Sequence, residues 1–450
     1  MTVMSAYEQL FAEGYLEGKI GSGTYVASHL PEDFLQLPRE TKGEVRSGRI
    51  KRKLSLSDYG EYLRNRTGMI RRNHGATEFV PFQHGLTAID QFPFDVWLKI
   101  AQRHLKYTQP STLGYGESGG LRSLREAVAE HLRAARGVQC EWEQVIVTNG
   151  AQQALDLISR VLLSPEDKIL TEDPGYLGAR DILGGSGCEV VPVPIDEEGI
   201  AFRQASRLSN IRLVYVTPSH QFPLGGTMSL TRRLQLLEWA TDREAWIVED
   251  DYDSEFRYAG RPLASLQGLD RDGRVIYIGT FSKTIYPSLR LGCIVVPADL
   301  VDVFTAARAL SDLHSPLIDQ SILAAFISEG HYSRHLRRMR TLYSSRQEML
   351  VAEIGKQLKG FLDISKADAG MHLIGWLPKG VDDQDVSNDL KEHGIRAAPV
   401  STYCMSKPKR GGLLLGYTAF GEKQIKAGAK TMETVLSRLL NTTKTAPSEI

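Results

Sequence analysis

Gly279-Thr280-Phe281-Ser282-Lys283-Thr284-Ile285-Tyr286-Pro287-Ser288-Leu289-Arg290-Leu291-Gly292 follows the apolar run Val275-Ile276-Tyr277-Ile278. Such a run, bounded by turn residues, predicts a buried strand, and α/β sheets bind ligands beyond the carboxyl ends of their strands. Lys283 therefore stands at a strand end. An amine there, flanked by the hydroxyls of Thr280 and Ser282 and followed by Arg290, suits condensation with a carbonyl while the guanidinium holds an attached phosphate. Pyridoxal phosphate (PLP) carries both groups. A lone Ser-Lys after a strand would read as a surface lysine, and it is the length of the string that shifts the balance.

Composition narrows the classes further. A chain of 450 residues buries a large core and has room for two or three domains. Lys plus Arg and Asp plus Glu both total 54, so no net charge calls for nucleic acid or an anionic membrane, and any DNA contact has to be local. Cys140, Cys188, Cys293 and Cys404 lie far apart without a Cys-x-x-Cys pair, which argues against a zinc site or disulfide framework. No apolar run is long enough to span a bilayer, and Glu8, Glu13 and Glu17 make the N-terminal stretch unlike a secretory leader. The expectation is a soluble cytoplasmic protein.

Four more strand ends carry groups that suit such a cofactor. Val145-Ile146-Val147-Thr148 leads through Asn149-Gly150 into a helix start at Ala151-Gln152. The unpaired N–H groups and dipole of a helix N-terminus make a phosphate cradle, although every βα unit has a strand, a turn and a helix. Ile169 to Tyr176 ends a strand in Asp173-Pro174-Gly175-Tyr176, and Tyr176 can lie on a pyridine face, where an isolated tyrosine would by default be core. Val214-Tyr215-Val216 runs into Thr217-Pro218-Ser219-His220-Gln221-Phe222-Pro223, from which His220 or Gln221 can face the site; the plain alternative is a solvated turn histidine. Trp246-Ile247-Val248-Glu249-Asp250-Asp251-Tyr252 ends in acids: Asp250 can keep a pyridine nitrogen protonated and Tyr252 can bond a phenolate oxygen. Adjacent acids on a strand point to alternate faces, which disfavours a shared metal.

Outside this set, Val3, Tyr7, Leu10 and Phe11 recur at helical spacing until Gly14, and Tyr15-Leu16 and Gly23-Thr24-Tyr25-Val26 alternate as two small strands around a Gly-rich turn. Residues 29–78 are polar and irregular, with Arg46, Arg49, Lys51, Arg52 and Lys53 close together and Arg64, Arg66, Arg71 and Arg72 behind them. Glu40, Glu44, Asp58 and Glu61 interrupt the charge, and the stretch reads as an interdomain linker. Tyr115-Gly116-Glu117-Ser118-Gly119-Gly120 leads into a helix. After Gly292 come long amphipathic helices, then strands within 371–376 and 412–417 of a smaller α/β domain; residues 441–450 read as a disordered tail.

The Thr280-x-Ser282-Lys283 string with its Leu289-Arg290-Leu291-Gly292 resembles the Schiff-base segment of fold type I PLP-dependent aminotransferases. With Thr217 to Gly225 and Asp250 to Phe256 it looks most like the MocR/GabR regulators of the GntR superfamily, over about residues 2 to 440. The resemblance implies an α/β domain over 79–440. Its large part, about 105–330, surrounds a mostly parallel seven-stranded sheet, and its small part, about 335–440, takes in the N-terminal arm. It implies PLP carried on Lys283 with Asp250 and Tyr252 as catalytic partners, and cofactor contacts from Gly150, Ala151, Gln152, Tyr176, His220, Thr280, Ser282 and Arg290. Tyr115 would reach the neighbouring subunit's cofactor site, which implies a homodimer.

Residues 1–28 are similar to the recognition helix and wing of a GntR-type winged helix. Because that family has two more helices upstream, the expectation is a partial head, with DNA binding only if the winged helix is completed. Two positions depart from the pattern. The aminotransferase strand Ile/Leu-Arg-Leu-x-Phe reads here Leu413-Leu414-Leu415-Gly416-Tyr417, with Leu414 where an arginine grips a substrate carboxylate, and the arginine that GabR carries two residues after its stacking tyrosine is Gly178. The resemblance therefore favours a regulator sensing PLP or an amine over a stand-alone PLP-dependent aminotransferase. A binding protein that keeps the cofactor for structure is the third reading.

Overall fold

A computed structural model of the chain describes residues 2–19, 21–31, 55–67, 79–107, 113–205, 207–260 and 264–444. The basic cluster at 46–53, Arg71, Arg72 and residues 445–450 lie outside the described residues. The chain divides into two units, Met1–Leu56 and Ser57–Ile450. In the first, the helix Val3–Ala12 is followed by Gly14, whose φ of +80° only glycine takes readily. Strand β1 (Leu16–Lys19) pairs antiparallel with β2 (Gly23–Val26), Leu16 opposite Val26 and Lys19 opposite Gly23. No side chain of that helix is buried.

In the second unit the apolar runs become strands whose side chains are buried on both faces, as expected of a sheet covered by helices on each side. In chain order they are β3 (Val145–Thr148), β4 (Lys168–Asp173), β5 (Glu189–Asp196), β6 (Gly199–Ile200), β7 (Ile211–Val216), β8 (Trp246–Asp251), β9 (Val275–Thr280) and β10 (Gly292–Val295). They form one sheet in the order β3-β10-β9-β8-β7-β4-β5-β6. The pairings from β9 through β8, β7 and β4 to β5 are parallel; β10 runs antiparallel to both β3 and β9, and β6 antiparallel to β5. The sheet thus has eight strands rather than the expected seven. The eighth, β6, is a two-residue return of the chain onto Ile195 and Asp196, too short to show as an alternation in sequence.

A second sheet, β11-β13-β12, joins β11 (His372–Trp376), β12 (Ala398–Pro399) and β13 (Gly412–Gly416), all antiparallel. The helices His331–Gln357 and Glu422–Lys444 pack beside it through Leu350, Ile354, Ile425, Met432 and Leu436, in a cluster that also takes Phe82, Ala88 and Phe92 from the N-terminal arm. Phe82 is fully buried and its carbonyl accepts from Gly416 N. The last helix runs to Lys444, past the point where a disordered tail was expected to begin, because Asn441 to Lys444 holds no glycine or proline and the first breaker is Pro447.

The linker reading is corrected over 57–67. Ser57 caps a helix, Asp58–Arg64, by accepting from Gly60 N, and Asp58 and Glu61 lie in its first turn, where the helix dipole favours them. Its tyrosines dock on the helix Leu177–Gly184. A Cβ at Gly184 would come within 2.9 Å of Tyr62 Oη and one at Gly185 within 2.8 Å of the Tyr59 ring. No helix of the described residues is long and apolar enough to cross a membrane.

Candidate active site

The parallel strands β4, β7, β8 and β9 end side by side, and the turn beyond each delivers one group of the site. Lys283 follows β9, where Ser282 N donates to Thr280 Oγ1 at 3.2 Å and Lys283 Nζ donates to Gly85 O at 3.0 Å. The loop is held from behind by the helix His331–Gln357: Tyr332 Oη donates to Thr284 Oγ1 and His335 Nε2 to the Thr284 carbonyl. Burial lowers the pKa of the Lys283 amine below the ordinary lysine value; Asp253 and Asp250 oppose the shift and Arg290 adds to it. A shift in that direction favours the neutral, nucleophilic form of the amine.

Asp250, at the end of β8 and opposite Ile278, is 4% exposed. Its Oδ2 accepts from Tyr215 Oη at 2.7 Å, while Oδ1 is buried with no partner. Burial pushes this carboxyl up to about 7, opposed by the Tyr215 hydrogen bond and helped by the neighbouring Asp251 and Asp253. Its neighbours in sequence point elsewhere. Asp251 pairs with Arg136 at 2.7 Å and accepts from Tyr277 Oη, and Glu249 accepts from the backbone N–H groups of Leu266 and Gln267. One acid of the three faces the site.

On the other side of the lysine, Gly150 (φ +89°) caps the helix Ala151–Leu162. A Cβ there would sit 3.1 Å from Arg290 Nη2, and that same nitrogen donates to Asn149 O at 2.7 Å. Ser282 Oγ is buried without a partner. A guanidinium and a helix N-terminus thus meet at one bare glycine, the donors of a phosphate cradle, with the uncommitted Ser282 hydroxyl in the loop after β9. Ala151 and Gln152 open the helix, and Gln152 hydrogen-bonds Tyr176, whose hydroxyl pKa burial raises first and nearby Asp250 second. Tyr176 itself precedes the helix Leu177–Gly184, with its ring over Gly178, where a Cβ would come 2.5 Å from the phenol.

His220 is 2% exposed and its Nδ1 lies 2.8 Å from Tyr252 Oη and 3.0 Å from Asp253 Oδ2, while Nε2 is buried without a partner. The hydrogen bond of Nδ1 is to Tyr252, and the Asp253 carboxylate lies beside it with neither oxygen hydrogen-bonded. Gly370 is required here: its φ is +100° and a Cβ would strike the imidazole at 2.1 Å. Gln221, the other residue considered for this role, is committed elsewhere, its Nε2 donating to Glu172 and to the carbonyls of Pro174 and Phe222. Tyr115 stands apart in this chain, 88% exposed with its ring 6.4 Å from His314.

Several residues around the site went unassigned in sequence, among them Tyr215, Asp253, His84, His372 and Tyr403. His84 is half-buried, its pKa lowered to about 4 by desolvation and by Lys283, and its Nε2 lies 3.2 Å from Tyr403 Oη. Phe222 stands between the rings of His84, Tyr176, Tyr252, His372 and Tyr403, with centroids 5.1 to 6.1 Å away. A histidine in an N-terminal arm gives no local signal of reaching a strand end two hundred residues on.

The aminotransferase class I and II family model matches residues 85–411. The chain is 41% identical to the "Probable rhizopine catabolism regulatory protein MocR" of Rhizobium meliloti, over 97% of this chain and 86% of that one. The chain belongs to the MocR-type regulators of the aminotransferase class I and II family. Another relative, the HTH-type transcriptional regulator YdeL of Bacillus subtilis, is 34% identical over 96% of this chain and 88% of its own. Among solved structures, the kynurenine aminotransferase of Pyrococcus horikoshii, in complex with PMP and substrates, has a TM-score of 0.75 at 26% identity, covering 86% of this chain and 96% of that one. The fold is that of the type I PLP-dependent aminotransferases, and PLP is the cofactor of the family.

The residues of this MocR-type chain fit that group. Two buried polar atoms, Asp250 Oδ1 and Ser282 Oγ, lack partners in the chain itself, an acceptor suited to a protonated ring nitrogen and a hydroxyl suited to a phosphate, and Gly150 puts no side chain beside Arg290. The two departures noted in sequence also have a setting. Leu414 on β13 is fully buried in an apolar cluster with Leu177, Ile374, Val400 and Tyr403, and Gly178 has no room for a side chain beneath Tyr176.

Proposed function

We propose that this MocR-type protein holds PLP on Lys283 and reports PLP or an amine that reaches it. The observation that carries the reading is the pair formed by a half-buried Lys283, its pKa lowered by desolvation, and the unpartnered Oδ1 of Asp250 at the ends of neighbouring strands. When bound, PLP supplies a carbonyl that takes amines and a ring that withdraws electrons. Asp250 would hold the ring nitrogen, with Tyr215 fixing the carboxylate's other oxygen. Arg290, Ser282 and the Gly150–Ala151–Gln152 turn would hold the phosphate. Tyr176 would cover one ring face and exclude water, and Tyr252, held by its hydrogen bond with His220, would donate to the phenolic oxygen. A homodimer belongs to the reading, through the exposed Tyr115 and the exposed Leu98, Leu105 and Leu113 near it in sequence. So does DNA as the partner of the first unit in a completed winged helix, and a cytoplasmic location.

The full chain incubated with PLP is expected to show a visible absorption band that borohydride bleaches and that Lys283→Ala lacks. A colourless wild type that cannot be reconstituted would overturn the proposal. A stand-alone aminotransferase is the second reading, favoured by the likeness to the Pyrococcus enzyme. Rapid bleaching of the band by a common α-amino acid, with its return on adding a keto acid, would put that reading first.

A further inference from the structure

Beside Lys283 stands a wall of uncharged polar rings. The carbonyl that Nζ bonds belongs to Gly85, the residue after His84. Burial holds His84 down to about 4 and His372 well below the ordinary histidine range, so both imidazoles are neutral near pH 7. His372 has its Nε2 on the Pro223 carbonyl, and burial raises the phenol of Tyr403, which keeps its proton. Phe222 fills the space between them. The cations of the site are already placed: Lys283 is the attachment point and Arg290 is turned to the Asn149 carbonyl beside Gly150. The remaining ionisable groups, Asp250, Asp253 and Glu172, are acids buried around the same strand ends and bring no cation for a carboxylate. Leu414 and Gly178 add no charge.

A carboxylate brought into this setting gives up its hydration and meets buried acids and neutral rings, a loss greater than that of an unpaired neutral group. A hydroxyl or amide meets no such penalty, because an imidazole nitrogen can accept from it and the Tyr403 phenol can donate to it. We propose that the amine this site takes bears no carboxylate and that its other polar groups are uncharged, read by His84, His372 and Tyr403. The inference rests on PLP being held at Lys283. Arg180, which shares a small cavity with Tyr176 and Tyr403, is the cation that could undo it.

The test uses PLP-loaded full chain and matched amines that differ only in carboxylate against hydroxymethyl or hydrogen: L-alanine and L-alaninol, 4-aminobutyrate and 4-amino-1-butanol, L-tyrosine and tyramine. The readout is the concentration at which each shifts the visible band, with the thermal midpoint of the loaded protein as a second measure of binding. Expected is half-saturation by the carboxylate-free partner at a concentration about tenfold or more lower in each pair, with the same ratio in Arg180→Ala. Equal or tighter binding of the carboxylates overturns the inference, and so does a band that none of the six amines moves. A carboxylate penalty that grows in Arg180→Ala also overturns it, since Arg180 would then be a carboxylate reader. If the wild type shows no band, it is the proposal of PLP at Lys283 that has failed, and this inference falls with it.

Discussion

Asp250 keeps one carboxylate oxygen bonded to Tyr215 and the other buried and free, an arrangement that is costly unless a donor arrives to complete it. Asp250→Asn keeps an acceptor for Tyr215 and turns a donor toward the place where the ring nitrogen would carry its own proton. Losing a charge-assisted hydrogen bond of about 1.5–3 kcal/mol predicts roughly ten- to a hundredfold weaker PLP retention, measured by titrating apoprotein and following the visible band. Retention equal to wild type would mean that the free oxygen does not face the cofactor. The place of Asp250 was legible in sequence because it sits at a strand end with Tyr252 two residues on. Asp253 was not, since one more acid in Asp250-Asp251-Tyr252-Asp253 looks like surface until the turn folds it against His220, 3.0 Å away. Tyr215 was hidden in another way: inside an apolar strand, a tyrosine reads as core.

The helix His331–Gln357 shows how an element away from the strand ends governs them. His335 is 3% exposed, its Nε2–H holds the carbonyl of Thr284, and its Nδ1 is buried without a partner. Desolvation lowers its pKa from 6.5 to about 4, so the fold keeps the neutral ring. A depressed folded-state value means that the unfolded chain takes up the proton first. The stability from the neutral ring is complete above about pH 6.5 and is lost as pH falls from there toward 4, by at most about 3 kcal/mol for this one group. His335→Gln can keep the hydrogen bond to Thr284 without the titration, so its stability measured by urea unfolding should fall less than wild type's between pH 7.5 and 5. Parallel losses in the two proteins would show that His335 does not carry the acid sensitivity. Elements were legible to the extent that their pattern was strong. The β-branched runs at 145–148, 214–216, 246–251 and 275–278 fall on strands where predicted, because burial on both faces leaves an unbroken apolar signal. The helix Asp58–Arg64 was missed because its tyrosines are spaced among charges and acquire a partner surface only in the fold, and β6 because two residues carry no period.

At the scale of the whole chain, the helix Leu177–Gly184 joins two functions. Its N-terminal neighbour Tyr176 would lie on the cofactor, and its C-terminal end, Gly184 and Gly185, receives Tyr62 and Tyr59 from the segment that leads into this unit. Arg66 strengthens that dock, stacking on the Tyr62 ring at 3.6 Å and pairing with Asp181 at 3.2 Å, while Tyr62 Oη donates to the Asp181 carbonyl. A partly exposed ion pair of this kind contributes little by itself, so the two tyrosines against bare glycine backbone dominate the contact. An eight-residue helix held at one end by ligand and at the other by the incoming segment gives the two a shared element, and whatever steadies Tyr176 should also steady the dock. PLP loading is therefore expected to slow backbone hydrogen exchange in Asp58–Arg64, and Lys283→Ala to abolish that slowing. Gly184→Val drives a side chain into Tyr62 and should speed exchange there several-fold while the visible band at Lys283 persists, separating loss of the dock from loss of the cofactor. Exchange in Asp58–Arg64 that is the same with and without PLP would show the two ends of the helix to be independent, and a signal from the amine site to the first unit would then have to travel by another route.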